Sequence, residues 1–190
     1  MARPTEKGER RRRLLAEAAA GLLAEGGFEA VRHRAVAERA GLPLASTTYY
    51  YASLDELVTA AAEVLGRTEL DEAMATLDAA GSDDDPREIV LDMLLGPASR
   101  TDGLDAVLRH FERLVGAGRR PYLAPLMRAQ RAELDALLTT ALARAGHHPD
   151  PVALRRIVAL VDGAVVSALI EADADTRTIA RAALADALST

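Results

Sequence analysis

The stretch AVAERAGLPLASTTYYYASLDEL, residues 35–57, decides the fold of this chain. Two short segments with helical apolar spacing, about 33–40 and 44–50, flank Gly41 and Pro43. Ala37 and Gly41 have the spacing of a helix-turn-helix: a small residue lets two helices approach, and glycine makes the turn between them. Leu42 is placed to pack between the helices. The spacing alone leaves an ordinary helical hairpin open. Ser53-Leu54-Asp55-Glu56 then reads as a capping box, with the Ser53 hydroxyl accepting from the Glu56 amide and the Glu56 carboxylate reaching back to the Ser53 amide.

The rest of the chain fits the same all-α class. It has 190 residues, 49% of them hydrophobic. That length can bury a sizeable core in one or two domains. Ala, Leu and Val dominate the apolar set, and no strand pattern stands out, so the core is expected to be helical. There is no cysteine. This removes disulfides and thiolate metal sites and fits a reducing, cytoplasmic setting. No stretch reaches the roughly 18 apolar residues of a membrane span. The N-terminal apolar run carries Glu17 and Glu25, so it reads as a mature helix rather than a signal peptide.

Charge is divided unevenly. The net charge is −6, but residues 1–52 hold nine Lys/Arg against six Asp/Glu, while residues 53–190 hold fourteen against twenty-three. This asymmetry predicts two parts with different partners, the first tolerating a polyanion.

Before the quoted stretch, Leu14, Leu15, Ala18, Leu22 and Leu23 predict a helix over about 9–25, closed by Gly26-Gly27. After it, Leu54, Leu57, Val58, Ala61 and Leu65 begin a helix over about 53–80. Beyond Gly66 its apolar residues move to a roughly opposite face, which fits either a connector between two packing units or a kink. Asp85-Pro86 starts another helix after a loop at 81–86. Further helices are predicted over about 103–116, 121–145 (with Pro125 distorting its first turns), 151–172 and 175–188, giving about nine in all.

The whole run RRRLLAEAAAGLLAEGGFEAVRHRAVAERAGLPLASTTYYYASLDELV, residues 11–58, closely resembles the N-terminal DNA-binding domain of TetR-family transcriptional regulators. The resemblance rests on Gly26-Gly27-Phe28, Val36-Ala37, Ala40-Gly41, Tyr50-Tyr51-x-Ser53 and Asp55-Glu56-Leu57. It implies a three-helix helix-turn-helix domain over 1–52 and a helical effector-binding and dimerisation domain over 53–190. The helix beginning near Leu44 would enter the major groove, with Leu44, Ala45, Ser46, Thr48 and Tyr49 toward bases or sugars. Tyr50 would donate to a phosphate, and Arg32, His33 and Arg34 would lie along the backbone. Arg3, Lys7 and Arg10 to Arg13 would add salt-sensitive attraction. The chain departs from the family's common Leu-Tyr at Thr47-Thr48, from its common Lys at Leu54, and from its frequent Ser or Thr at Val31-Arg32. Tyr49 is expected to make up the missing Tyr contact, and Arg32 or Arg34 the missing charge.

The segment 151–172 is apolar on nearly every side, so part of its cover is expected from a second subunit. The resemblance likewise assigns the last two helices to a homodimer. The expected interface residues are Ile157, Val161, Ala164, Val165, Ala168, Ala180, Ala183, Leu184 and Ala187. Candidate effector contacts are His110, Tyr122, Met127 and Gln130; Gln130 interrupts an apolar stripe and would need a partner if buried. No cofactor is expected. His147-His148 lacks acidic or thiol partners at metal spacing, so no metal site is expected either. Neither a phosphate-binding glycine loop nor a hydrolase or protease motif occurs, so an enzyme is not expected. The expected function is a DNA-binding regulator, more specifically a repressor released from a palindromic operator by a small molecule. The alternative is a helical ligand-binding or interaction module with a degenerate helix-turn-helix.

Overall fold

A computed structural model of the chain describes residues 6–81 and 84–189. Arg3 of the expected basic arm and Ser82-Asp83 of the expected loop lie outside these. Among the described residues the fold is all-α, with nine helices: α1 (Glu6–Ala30), α2 (His33–Arg39), α3 (Leu44–Tyr50), α4 (Leu54–Ala79), α5 (Pro86–Leu95), α6 (Gly103–Ala117), α7 (Ala124–Arg144), α8 (Pro151–Ile170) and α9 (Thr176–Leu188). Short 3-10 turns at Pro97–Arg100 and Pro121–Leu123 precede α6 and α7.

Local chemistry sets most of the boundaries. Gly26 and Gly27 leave helical geometry inside α1, with Gly27 at φ +66°, a region costly for other residues. The regular helix therefore closes at these glycines, and one further turn leads to Ala30. Asp85 and Asp150 accept from backbone amides at the starts of α5 and α8, each followed by proline, which lacks the donor a first helical turn cannot use. Pro125 is the second residue of α7, so the distortion expected from it is confined to the preceding 3-10 turn. The Ser53 hydroxyl accepts from the Glu56 amide at 3.1 Å, but the Glu56 carboxylate accepts from Ala52 at 2.7 Å. The reciprocal half of the capping box is thus displaced by one residue, because the chain before Ser53 presents the Ala52 amide instead.

The chain forms two compact units. The first gathers residues up to Thr68 with Arg113–Met127; the second gathers Glu69–Glu112 with the chain from Arg128 onward. Within the first, Leu15, Leu23, Val31, Val36, Tyr51, Leu57, Ala61 and Leu123 form a buried cluster. Within the second, Val90, Leu91, Leu95, Val107, Leu138, Leu142, Val161, Val165 and Leu184 form the other. Helix α4 runs unbroken through Gly66, placing Leu57, Val58 and Ala61 in the first cluster and Ala73 and Leu77 in the second. Met74 and Leu54, on the same predicted stripes, are exposed.

In the second unit, charge also joins elements distant in sequence. Arg177 of α9 donates to the Glu88 carboxylate of α5 at 2.7 Å and pairs with Asp92 at 2.9 Å. Arg181 reaches the other Glu88 oxygen at 2.6 Å, and Arg100 grips Asp92 through two nitrogens.

Candidate nucleic-acid interface and effector region

Helices α2 and α3 meet across a four-residue turn, Ala40 to Pro43. Gly41 takes φ +63°, and the Leu42 amide donates to the Ala37 carbonyl at 3.0 Å. Val36 and Ala37 are buried, and Leu42 packs against the same cluster. This is a formed helix-turn-helix, which removes the plain-hairpin alternative left open by spacing. Thr47 is fully buried, and its hydroxyl donates to the Leu44 carbonyl at 2.8 Å. A threonine is tolerated there because its only buried polar atom is satisfied inside its own helix.

The outward face of α3 is the most distinctive surface of this unit. Leu44, Ala45, Thr48 and Tyr49 fall on one arc of the helix, and all four are exposed, Tyr49 to 81%. Ser46 and Tyr50 flank that arc and are half-buried. The Tyr49 and Tyr50 rings meet edge to face with centroids 4.9 Å apart, which limits how Tyr49 can swing. Arg32 caps α2 from an extended conformation, and its Nε donates to the Glu29 carbonyl at 3.1 Å. Arg34 is exposed beside it. His33 is half-buried, with Nδ1 enclosed and without a hydrogen-bond partner, so only its other nitrogen is available to an external group. On α1, Arg12 pairs with Glu56 at 3.5 Å and Arg13 with Glu17 at 3.8 Å, while Lys7, Arg10 and Arg11 are exposed.

The four candidate effector contacts do not share one packing unit. Tyr122 and Met127 pack against the cluster behind the helix-turn-helix, where burial, reinforced by Asp55, pushes the Tyr122 phenol up. His110 and Gln130 belong to the other unit. His110 lies edge-on to Phe111, with Nδ1 4.0 Å from a Glu69 oxygen. Gln130 is half-buried rather than buried, so the amide is not stranded in an apolar core as its stripe suggested. A further polar group, on the largely apolar α8, is Asp162. Burial pushes its carboxyl above the usual range, and Arg131 opposes that only in part.

Most of the residues expected at a dimer interface pack within the chain itself. Ile157, Val161, Val165, Ala168, Ala180 and Leu184 point into the chain's own core and are buried there. Helices α8 and α9 pack closely against each other there. Ala164, Ala183 and Ala187 are half-buried at its margin. The apolar residues that α8 turns outward are others: Val152, Leu160 (48% exposed), Val166 and Ile170 (80% exposed). Gly163 lies among them, with nothing within 4 Å of where a side chain would begin.

Among the described residues no helix is long and apolar enough to cross a membrane. A helix-turn-helix joined to a helical bundle defines the class of one-component regulators, and the comparisons specify it. Residues 82–190 match the tetracyclin repressor-like C-terminal domain. The structure is similar to that of the multidrug binding protein EbrR complexed with ethidium, at 31% identity and a TM-score of 0.66, covering 94% of this chain and 98% of that one. It is similar to SCO1917, a TetR-family member from Streptomyces coelicolor A3, at 28% identity and a TM-score of 0.62, covering 94% and 98%. A TetR transcription regulator from Haloarcula marismortui shares the fold at 21% identity and a TM-score of 0.65, covering 95% and 97%. None of the curated proteins matches the chain. The chain belongs to the TetR family of transcriptional regulators.

Proposed function

We propose that this chain is a homodimeric, cytoplasmic, non-catalytic repressor that leaves a palindromic operator when a small molecule binds. The observation that carries the proposal is the exposed face of α3, where Leu44, Ala45, Thr48 and Tyr49 stand clear of the fold. An exposed Leu and an exposed Tyr side by side, on a helix narrow enough for the major groove, suit contact with base edges and sugars. Ser46 lies at the edge of that contact. The Tyr50 hydroxyl would donate to a phosphate, with Arg32, His33 and Arg34 along the same backbone. Residues 1–52 would carry DNA binding, and residues 53–190 effector binding and dimerisation.

The dimer would form through the outward face of α8, where Leu160, Val166 and Ile170 need cover. A two-fold pair places two α3 helices on successive turns of a palindrome, roughly 34–36 Å apart. EbrR forms complexes with proflavin, ethidium and malachite green. An organic cation of that kind suits the acidic excess of residues 53–190 in this chain. Release requires such a molecule to bind the DNA-free state better than the DNA-bound one.

The test is selection from a random-sequence duplex library with the wild-type chain, followed by titration at several salt concentrations. An inverted-repeat consensus and a steep salt slope are expected. Absence of both would leave the rival reading, a helical ligand-binding module whose helix-turn-helix no longer binds DNA.

A further inference from the structure

Residues Arg113–Met127 comprise the end of α6, the 3-10 turn and the start of α7, and they belong to the same compact unit as α1 to α3. One side chain in this elbow is committed to the turn that feeds α2. The Arg120 guanidinium lies 4.0 Å from the centroid of the Phe28 ring. Its Nη2 donates to the Glu29 carboxylate at 3.0 Å and its Nη1 to the Gly116 carbonyl at 2.9 Å. The side chain is only 21% exposed. Gly116 makes the approach possible, since a Cβ there would stand 3.1 Å from the Phe28 ring.

The gripped turn also carries Val31, which is buried in the first cluster. It follows Gly27, whose positive φ bends the chain out of α1. The Val31 amide donates to the Phe28 carbonyl at 3.2 Å. Directly after it come Arg32, whose Nε is anchored on the Glu29 carbonyl, then His33 and Arg34. A planar guanidinium can stack on a ring while donating at its edge to a carboxylate and a carbonyl; an ammonium cannot hold all three.

We propose that Arg120 is a positioning residue for DNA reading: from the α6–α7 elbow it fixes the Phe28–Val31 turn, and thereby the entry of α2, without touching DNA itself. The DNA part of its test rests on the regulator reading above, and the exchange part does not.

The experiment uses the full chain and the variants Arg120→Ala, Arg120→Lys and Gly116→Ala. Without DNA, amide exchange over residues 28–40 should quicken by about tenfold in Arg120→Ala, with α8 and α9 unchanged. On the duplex selected by the wild-type chain, affinity should fall by about tenfold at an unchanged salt slope, and Arg120→Lys should not restore it. Phe28→Leu added to Arg120→Ala should cost less than it does alone. Unchanged exchange at residues 28–40 overturns the proposal, as does an Arg120→Lys protein equal to wild type. A slope reduced by about one per subunit also overturns it, by making Arg120 a direct phosphate contact. If the wild-type chain selects no DNA, the regulator reading fails while exchange still decides the role of Arg120. If Arg120→Ala does not fold, exchange in Arg120→Lys and Gly116→Ala decides it.

Discussion

The Tyr51 hydroxyl donates to the Arg12 carbonyl at 2.9 Å, joining the end of α3 to α1 across 39 residues of sequence. Tyr51 is 2% exposed, and the Arg12 guanidinium lies 5.3 Å from its ring centroid. Burial raises the phenol's pKa, so it remains a donor throughout the neutral range. Tyr51→Phe keeps the packing and loses one hydrogen bond, an expected cost of about 1 kcal/mol. Tyr51→Ala empties the site and should cost about 3–5 kcal/mol. Urea unfolding of the three proteins checks the order. A phenylalanine variant as unstable as the alanine one would show that the hydroxyl, not the ring, secures α3.

Tyr49 has the opposite character. Its ring is exposed and touches Tyr50 edge-on. Tyr49→Ala should change folding stability by no more than about 1 kcal/mol, the worth of that ring pair. Affinity for the selected duplex should fall by about 1–3 kcal/mol if Tyr49 reads a base or sugar. Unfolding curves and a titration on labelled DNA separate the two effects. Unchanged affinity would remove Tyr49 from the contact surface.

The contrast between neighbouring tyrosines shows what the sequence could reveal. The helix-turn-helix was legible because its determinants are local: Gly41 for the turn, Pro43 before α3 and Gly26-Gly27 after α1 all act within a few residues. Burial in α8 was not legible. Leu160 and Val161 are both apolar and adjacent, and the placement of α9 against α8 makes one outward and the other core. The polar pairs were the least accessible. Arg120 and Glu29 are 91 residues apart and Arg177 and Glu88 are 89 apart, so no spacing rule links them. The displaced half of the capping box depended on one amide's orientation, which sequence does not carry.

Glu88 sets an acid limit on stability. Its carboxyl is lowered from 4.5 to about 2, first by the hydrogen bond from Arg181 and then by Arg177, against the cost of burial. A carboxylate depressed in the folded state stabilises it fully above the unfolded value, and the gain disappears as pH falls through the folded value. The expected contribution near neutral pH is on the order of 2–3 kcal/mol, reduced by the solvent around half-exposed Arg181. Glu88→Gln should therefore lower the urea midpoint at pH 6, and the gap from wild type should narrow between pH 4.5 and 2. A gap that stays constant down to pH 2 would mean the ion pairs contribute nothing through charge.

Gly163 offers the sharpest check on the proposed pairing of two copies through α8. It sits among Leu160, Val166 and Ile170 on the outward side of α8, with nothing within 4 Å of a built Cβ. A long side chain there has room in the single chain, and leaving glycine in a helix interior gains rather than loses helix propensity. In a dimer packed through this face, a bulky cation at the crossing would hold the helices apart and bury an unpaired charge. Gly163→Arg is therefore expected to sediment as a monomer with unchanged helical circular dichroism. It should also lose most of its affinity for a two-half-site duplex, because each head then binds alone. A Gly163→Arg protein that remains dimeric would move the contact to another surface.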